Sequence, residues 1–515
     1  MVLAIIFLVI FAICAGVSIY FTSSLIKTPM IEIDFKKYFI KIGSFIVGAI
    51  ISFLVASFGF YMWLNATPDV LHVVQLVCGG IFFIAGLLTA INCFMLHYYG
   101  KNIPEKLDKW LFRIILIGFT VSVIFFFIWT NGLAPYLSYP LINGINFTHG
   151  FVTPESVDEN NSPISPNLAF YAICILSGAI LVYFLCDHYM YKEYGVHGIF
   201  ESTFFVAFPA GIIGGRIGYV VGNWHEFAGG NFFDVFAIWK GGLTILAGAP
   251  AGIIAGVAWF LWRNRDKSIW IAFDLVLPAI LIAQAIGRWG NFFNCEVHGL
   301  TSSIDNWKWL PEIVWRNGQY SSESGYAGDG LMFVPLFFIE CLVNLLGFFV
   351  LGHVFGKALR KYTELGDIGF GYIIWYGLTR VFMEPLRSEK FQMGSSGHWS
   401  WIWGMIFTFA GTLFIVVNHT MRYFMRKKNG KPYAKTHSML PGLISTVVFL
   451  LAASSLIAYG VYLMTNNNYI APVDYNPFNI GLILLVIGAS LLLCLGISVP
   501  TFISGLNNKK QEAYE

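Results

Sequence analysis

Three arginines stand where arginine is hardest to place. Arg216, Arg288 and Arg380 are the only basic residues inside the long apolar runs of this 515-residue sequence. A charged side chain at the centre of a bilayer costs about 2.5–3.5 kcal/mol on insertion scales. A single Arg near a helix end escapes that cost by snorkelling, but three at one leaflet and none at the other call for a shared anionic partner. Guanidinium groups are forked donors matched to phosphate oxygens, and the anion at hand in a membrane is a phospholipid headgroup. The residues alone therefore point to a site that binds an anionic lipid from within the membrane. Arg380, Glu384 and Arg387 follow at i, i+4 and i+7, which on a continuous helix puts them on one face, with the Glu orienting both arginines. The plainer reading of this trio is a structural ion-pair ladder. Asp274 lies fourteen residues before Arg288, about 21 Å along a helix, and is expected to be structural.

The elements that must carry these residues follow from composition. Hydrophobic residues make up 57% and charged residues 11% of the chain, against about 25% charged in soluble domains. Apolar runs long enough to cross a hydrocarbon core of about 30 Å recur about 13 times, near 3–23, 42–64, 70–97, 111–130, 168–187, 202–223, 243–262, 270–292, 331–356, 367–384, 399–420, 438–463 and 478–505. The expected fold is an all-α polytopic membrane bundle of about 13 spans. With the N-terminus outside, 23 of the 31 Lys and Arg fall in cytoplasmic segments and five outside, leaving the three intramembrane arginines; this is the positive-inside pattern, and it puts the C-terminus in the cytoplasm. All three arginines then lie in the outer half. No basic residue precedes the first run, so it reads as a retained span and not a cleaved signal peptide. No basic patch is interleaved with aromatics, which disfavours nucleic-acid binding. The eight cysteines form no CxxC pair and suggest neither a metal site nor a disulfide framework; no cofactor is expected.

Composition divides the chain into an N-terminal extension of about four spans (1–165), a seven-span core (166–425) holding the intramembrane charges, and a C-terminal extension of two spans (426–515). No internal repeat of a two-halved transporter is visible. In the core, Gly214, Gly218 and Gly222 recur every fourth residue, as do Gly248, Gly252 and Gly256 in the next run. Such stripes let helices approach closely in lipid. They are expected to face each other and so to hold Arg216 and Tyr219 in place.

Residues 287–299 read GRWGNFFNCEVHG. This resembles the signature G-R-x-G-N-F-x-N-x-E-x-x-G of the bacterial phosphatidylglycerol–prolipoprotein diacylglyceryl transferase family, with all eight fixed positions present: Gly287, Arg288, Gly290, Asn291, Phe292, Asn294, Glu296 and Gly299. GGRIGYV at 214–220, IWKGG at 238–242, the Asp274-to-Arg288 spacing and R-x3-E-x2-R at 380–387 agree in order, and the Phe170-Tyr171 pair agrees more weakly. The resemblance covers about residues 166–425 and leaves the flanking spans outside. It implies an enzyme of the bacterial plasma membrane, active toward the outer leaflet, that moves the diacylglyceryl group of phosphatidylglycerol onto the lipobox cysteine of a preprolipoprotein signal peptide. A thioether forms and glycerol phosphate leaves. By the family pattern Arg288 and Arg380 are catalytic, binding and stabilising the phosphate, with Asn291, Glu296, Glu384 and Tyr171 shaping the site; Arg216, Tyr219, Asn294, Gly299 and Arg387 are expected to bind substrate beside them.

One position departs from that pattern. Many members carry a His shortly after W-x-G-G, often assigned as the base, where this chain has Leu246. His298, inside the signature, is the alternative base, and electrostatic activation of the thiol by the arginines is the other route. The competing function is a transporter or flippase for an anionic lipid or solute; it needs polar groups at successive depths, whereas the arginines share one level. A relic of the transferase serving as a scaffold is the third reading.

Overall fold

The computed structural model describes residues 2–26, 35–63, 69–99, 105–137, 145–146, 150–151, 167–168, 170–196, 198–227, 235–236, 244–388, 398–428, 439–468 and 474–512. Its helices are α1 (Val2–Ile26), α2 (Phe35–Trp63), α3 (Val70–Tyr99), α4 (Glu105–Leu133), α5 (Phe170–Tyr194), α6 (Ile199–Gly222), the single turn α7 (Trp224–Phe227), α8 (Ile245–Arg263), α9 (Ile269–Phe293), the short α10 (Glu312–Asn317), α11 (Leu336–Phe349), α12 (Asp367–Met383), α13 (His398–Lys428), α14 (Met439–Asn466) and α15 (Pro477–Glu512). A helix lies over each apolar run named above. Eleven of them, among the described residues, are long and apolar enough to cross a membrane, α11 doing so together with the π-helical stretch Val350–Ala358 that continues it. The other two are α8, with 19 residues, and α12, with 17. The chain is a multi-pass α-helical membrane protein.

The fold divides into two compact units, residues 1–141 with 301–332 and residues 142–300 with 333–515. In the first, α3 and α4 approach until backbone meets backbone. A Cβ on Gly86 would lie 2.7 Å from the Gly118 carbonyl, and one on Gly79 would lie 2.4 Å from the Trp129 nitrogen. Lipid offers no hydrophobic drive between helices, so small residues and a few polar contacts hold such pairs. Asn92 supplies one: it donates to the Leu88 carbonyl at 2.7 Å and accepts from the Thr22 hydroxyl. Phe53, Ile84 and Trp129 pack around Ala49. The segment 301–332, remote in sequence, belongs to this unit. Its α10 packs on the end of α4, where the Glu312 N–H donates to Asn131 Oδ1 at 2.8 Å. Short two-stranded ribbons, Tyr320–Ser321 with Gly325–Tyr326 among them, complete the segment.

In the second unit the helices that carry the two glycine stripes do pack on each other, but each stripe meets other small residues of the neighbouring helix and not the opposite stripe. A Cβ on Gly214 would meet Ala251 Cβ at 2.3 Å, one on Gly218 would meet Ala247 Cβ at 2.3 Å, and one on Gly248 would lie 2.8 Å from the Gly211 carbonyl. Gly222 faces open space and plays no part. The helix α9 packs against α5, α11 and α12, and α12 lies along α13. Asp274 fixes one of these crossings. Its two carboxylate oxygens accept the Gly366 and Gly369 N–H groups at 2.9 and 3.0 Å, supplying the acceptor that the start of α12 lacks, because its N-cap Gly366 carries no side chain. At the other end of the chain α14 and α15 form a close hairpin, with a Cβ on Gly460 only 2.7 Å from the Gly481 carbonyl. Along α15, Ile483 enters a core with Val381, Trp401 and Met405.

Candidate active site

On α9, Gln284, Gly287, Arg288 and Asn291 fall at i, i+3, i+4 and i+7 and share one face. The Arg288 side chain is held at two points. Its Nε meets Glu340 Oε2 at 2.5 Å, and its Nη1 donates to Asn291 Oδ1 at 3.3 Å. Asn291 in turn donates to Glu296 Oε1 at 2.9 Å, and Asn294 reaches the same oxygen at 3.3 Å. Glu340, from α11, gives its second oxygen to Arg387 Nη2 at 2.8 Å. Arg387 Nη1 lies 3.7 Å from Glu384 Oε2, and Arg380 Nη1 lies 4.0 Å from it. The hydroxyl of Ser400, on α13, donates to Glu384 Oε2 at 3.1 Å. Arg380 donates from Nε to the Tyr376 hydroxyl at 3.3 Å, with its guanidinium 5.3 Å from that ring. Three guanidiniums are thus linked through two buried carboxylates.

The arginines differ in what remains available. The Arg387 side chain is 4% exposed, while those of Arg288 and Arg380 are 19% and 16% exposed. Among the described residues, Nη2 of Arg288 and Nη2 of Arg380 have no protein partner. Arg387 is therefore a fixed strut, and the other two are the groups able to receive an anion.

The expectation that Arg380, Glu384 and Arg387 share one continuous helix face needs correcting. Helix α12 stops at Met383, Glu384–Leu386 is a 3-10 turn, and Arg387 is extended (φ −74°, ψ 143°). Pro385 is the cause, since it has no N–H to continue the α-helical ladder. The break lets Arg387 bridge to Gly299 in antiparallel fashion, with the Ser388 N–H on the His298 carbonyl at 3.1 Å. The end of the signature is thereby tied to the end of α12. Gly299 is needed there, because a Cβ would lie 3.0 Å from the Leu386 carbonyl and 3.0 Å from Val334.

The signature itself is bent sharply after α9. Cys295 and Val297 take left-handed conformations (φ 50° and 56°), a strain of about 1–3 kcal/mol each in non-glycine residues. Between them the Glu296 N–H returns to the Asn291 carbonyl at 3.0 Å, which turns the Glu296 carboxylate toward the two asparagines. Gly290 lets Tyr171 approach, since a Cβ there would lie 2.4 Å from the ring. Tyr171 is 36% exposed.

Two other expected residues make described contacts of their own. The described contacts of Arg216 go to the Val235 carbonyl (2.8 Å from Nε) and to the faces of Tyr219 and Phe227 at 5.7 and 5.4 Å, not to the Arg288–Arg380 group. The convergence of three spans expected from sequence is, in described contacts, a convergence of Arg288, Arg380 and Arg387. His298 is buried, its Nδ1 2.9 Å from the Gly299 carbonyl and its ring on Phe333 at 4.0 Å. Burial holds the His298 pKa below its usual value, so the imidazole is neutral at pH 7. Leu246 sits in the first turn of α8 with its side chain outside the described residues, as is the whole stretch 237–243 with its W-x-G-G motif. Sequence reasoning passed over Glu340, Tyr376 and Ser400. Glu340 had a signal: it is the one carboxylate in the apolar run 331–356, and an intramembrane acid demands a basic partner.

Comparison with known proteins bears on the same stretch. The sequence model of the family described as prolipoprotein diacylglyceryl transferase matches residues 163–417. A phosphatidylglycerol–prolipoprotein diacylglyceryl transferase of Streptococcus suis is 34% identical over 280 residues, which is 53% of this chain and 96% of the relative. Proteins of the same name from Streptococcus equi subsp. zooepidemicus and Streptococcus pneumoniae are each 32% identical, over 82% and 84% of their lengths and 44% and 46% of this chain. With nearly the full length of such a relative contained in it, this chain is a transferase and belongs to the prolipoprotein diacylglyceryl transferase family.

Proposed function

We propose that the chain transfers the diacylglyceryl group of phosphatidylglycerol to the lipobox cysteine of a preprolipoprotein, the first step of lipoprotein maturation, at the outer leaflet of the bacterial cell membrane. The observation that carries this reading is the pair Arg288 and Arg380, each held by a buried glutamate network and each keeping an Nη2 unused among the described residues. In the reaction the cysteine sulfur bonds to the glycerol carbon that bears the phosphate, and the carbon–oxygen bond breaks. The electron pair stays on the phosphate oxygen, so a singly charged diester becomes a doubly charged monoester. Fixed guanidiniums bind that second charge more strongly than the first, so they favour the transition state over the ground state. The same positive field lowers the pKa of an incoming thiol, ordinarily about 8.5. The thiol proton has an acceptor in the departing monoester, whose second pKa is about 6. His298, neutral but seated against Phe333, is the second candidate acceptor.

The neighbours fit supporting parts. Glu340 and Glu384 aim the arginines. Asn291, Asn294 and Glu296 line the α9 face, and Gly287, where a Cβ would meet nothing within 4 Å, leaves room for the glycerol backbone beside Arg288. Tyr171 and Gly299 shape the rim. Arg216, beside Tyr219, holds the Val235 carbonyl and is assigned to substrate binding with it. The outer-leaflet assignment rests on the distribution of Lys and Arg, which puts the ends of α6, α9 and α12 outside.

The test is mass spectrometry of a lipobox peptide incubated with the purified protein in phosphatidylglycerol vesicles. A cysteine thioether of diacylglycerol, absent with Arg288→Ala, is the expected product. Movement of lipid between leaflets with no thioether would overturn the reading in favour of a flippase.

A further inference from the structure

Residues 426–515 lie beyond the stretch that the family matches, yet they touch the helix that carries Arg380 and Glu384. Helix α12 ends at Met383, and the Glu384 N–H on the Arg380 carbonyl is its last α-helical bond, so the carbonyls that follow need other partners. Pro385 has no N–H to offer the turn. The Phe382 carbonyl, between Arg380 and Glu384 in sequence, accepts a hydrogen bond from the hydroxyl of Tyr475.

Tyr475 is itself presented by a stapled turn. Asp474 Oδ1 accepts the Asn476 N–H at 3.1 Å and the Asn476 side-chain amide at 2.6 Å. Asn476 Oδ1 accepts the Asn479 N–H at 2.8 Å, and the Asn479 amide returns to the Asp474 carbonyl at 3.0 Å. Pro477 opens α15, the position where its fixed φ suits a helix start. Six residues further on, Ile483 packs with Val381 of α12 and with Trp401 and Met405 of α13. On α13, the same short segment brings Gly404 against Arg380, where a Cβ would lie 2.9 Å from Arg380 Cβ, and Ser400 against Glu384. The last turn of α12 is therefore gripped on its backbone by Tyr475 and from behind by α13 and α15.

We propose that Tyr475 is a positioning residue for the transfer: through the Phe382 carbonyl, the C-terminal extension fixes the last turn of α12 and with it the Arg380 guanidinium. This inference rests on Arg380 acting at the phosphate. A misaligned guanidinium loses transition-state stabilisation while general lipid binding persists, so the effect belongs in kcat more than in KM.

The experiment is steady-state transfer by the full-length protein, with Tyr475→Phe, Asp474→Ala and Arg380→Ala assayed beside the parent and melting followed on the same samples. Tyr475→Phe is expected to lower kcat about two- to tenfold, the range that one neutral hydrogen bond supplies, with the KM for phosphatidylglycerol and the melting temperature held. Asp474→Ala, which loosens the turn without touching Tyr475, is expected to move kcat the same way by less. If Arg380→Ala is inactive while Tyr475→Phe keeps the parent kcat, or loses activity only in step with melting, the positioning role is overturned and the site stands. If Arg380→Ala stays active, the reading of the site falls, and the inference with it.

Discussion

At one end of α9 and α12, Asp274 accepts two backbone N–H groups and Asp367 accepts from Asn418 at 2.9 Å, His419 at 2.6 Å and the Glu364 N–H at 2.7 Å. Arg422 and Arg426 beside them are committed to the Leu365 carbonyl (2.9 Å) and to Glu364 (2.6 Å). At the other end of the same two helices, Glu340 gives its two oxygens to Arg288 and Arg387, and Arg288 and Arg380 each keep Nη2 without a partner among the described residues. Both ends bury charge in a setting where unpaired charge is costly. The first closes its polar groups on backbone and on one another and so fixes where α12 begins. The second leaves two donors without a partner among the described residues, which is the form a ligand site takes. Counting buried ion pairs would not separate the two; asking which donors remain does.

That difference can be broken by mutation. The largest effect is expected for Glu340→Gln, which leaves Arg288 and Arg387 facing each other without their shared counter-charge. Breaking a buried pair costs about 3–5 kcal/mol, so both thermal melting in detergent and product formation should fall together. Arg288→Ala is expected to reduce kcat about 10²–10³-fold, the scale for losing one donor to a developing oxyanion, with melting lowered less than by Glu340→Gln because Glu340 keeps Arg387; a loss below tenfold in kcat per folded molecule would remove Arg288 from the chemistry. Asp274→Ala should show the opposite signature. It strands two buried N–H groups at about 1–3 kcal/mol each, so melting falls while kcat per folded molecule holds, and a kcat loss there would erase the distinction between the two ends. The smallest effect is expected at Gly287, where Ala gains up to about 1 kcal/mol of helix propensity. Gly287→Ala should melt no lower than the parent yet raise the KM for phosphatidylglycerol, and an unchanged KM would show that the lipid does not use that space.

The sequence displayed the helices because membrane spans are long, apolar and bounded by charge, signals that need no tertiary context. The close packing of the helices that carry Gly214, Gly218 and Gly248 was legible for the same reason, as a spacing. Asp274 was read as structural from its distance along α9, and its carboxylate accepts the N–H groups at the start of α12. Other features needed three dimensions. Pro385 announced a break after Glu384, but where Arg387 would go depended on a bridge to Gly299, a residue 88 positions earlier. Arg216 shares a leaflet with Arg288 by the charge map, yet depth along a span does not say which way a side chain turns, and it turns to Tyr219 and Phe227. Glu340 was hidden by its apolar surroundings, although those surroundings were the clue.

The docking of Glu312 on Asn131 has a consequence for how the molecule is made. The two residues are 181 positions apart, and ribosomes add about 5–20 residues per second, so α4 emerges roughly 10–40 s before the segment that completes its unit. Through that interval the nascent bundle of α1–α4 has its amide acceptor at Asn131 exposed and its surface for α10 bare. Membrane insertion of this protein therefore has a built-in waiting period, and a chain stalled before residue 301 would carry an unfinished first unit for the cell's quality control to find.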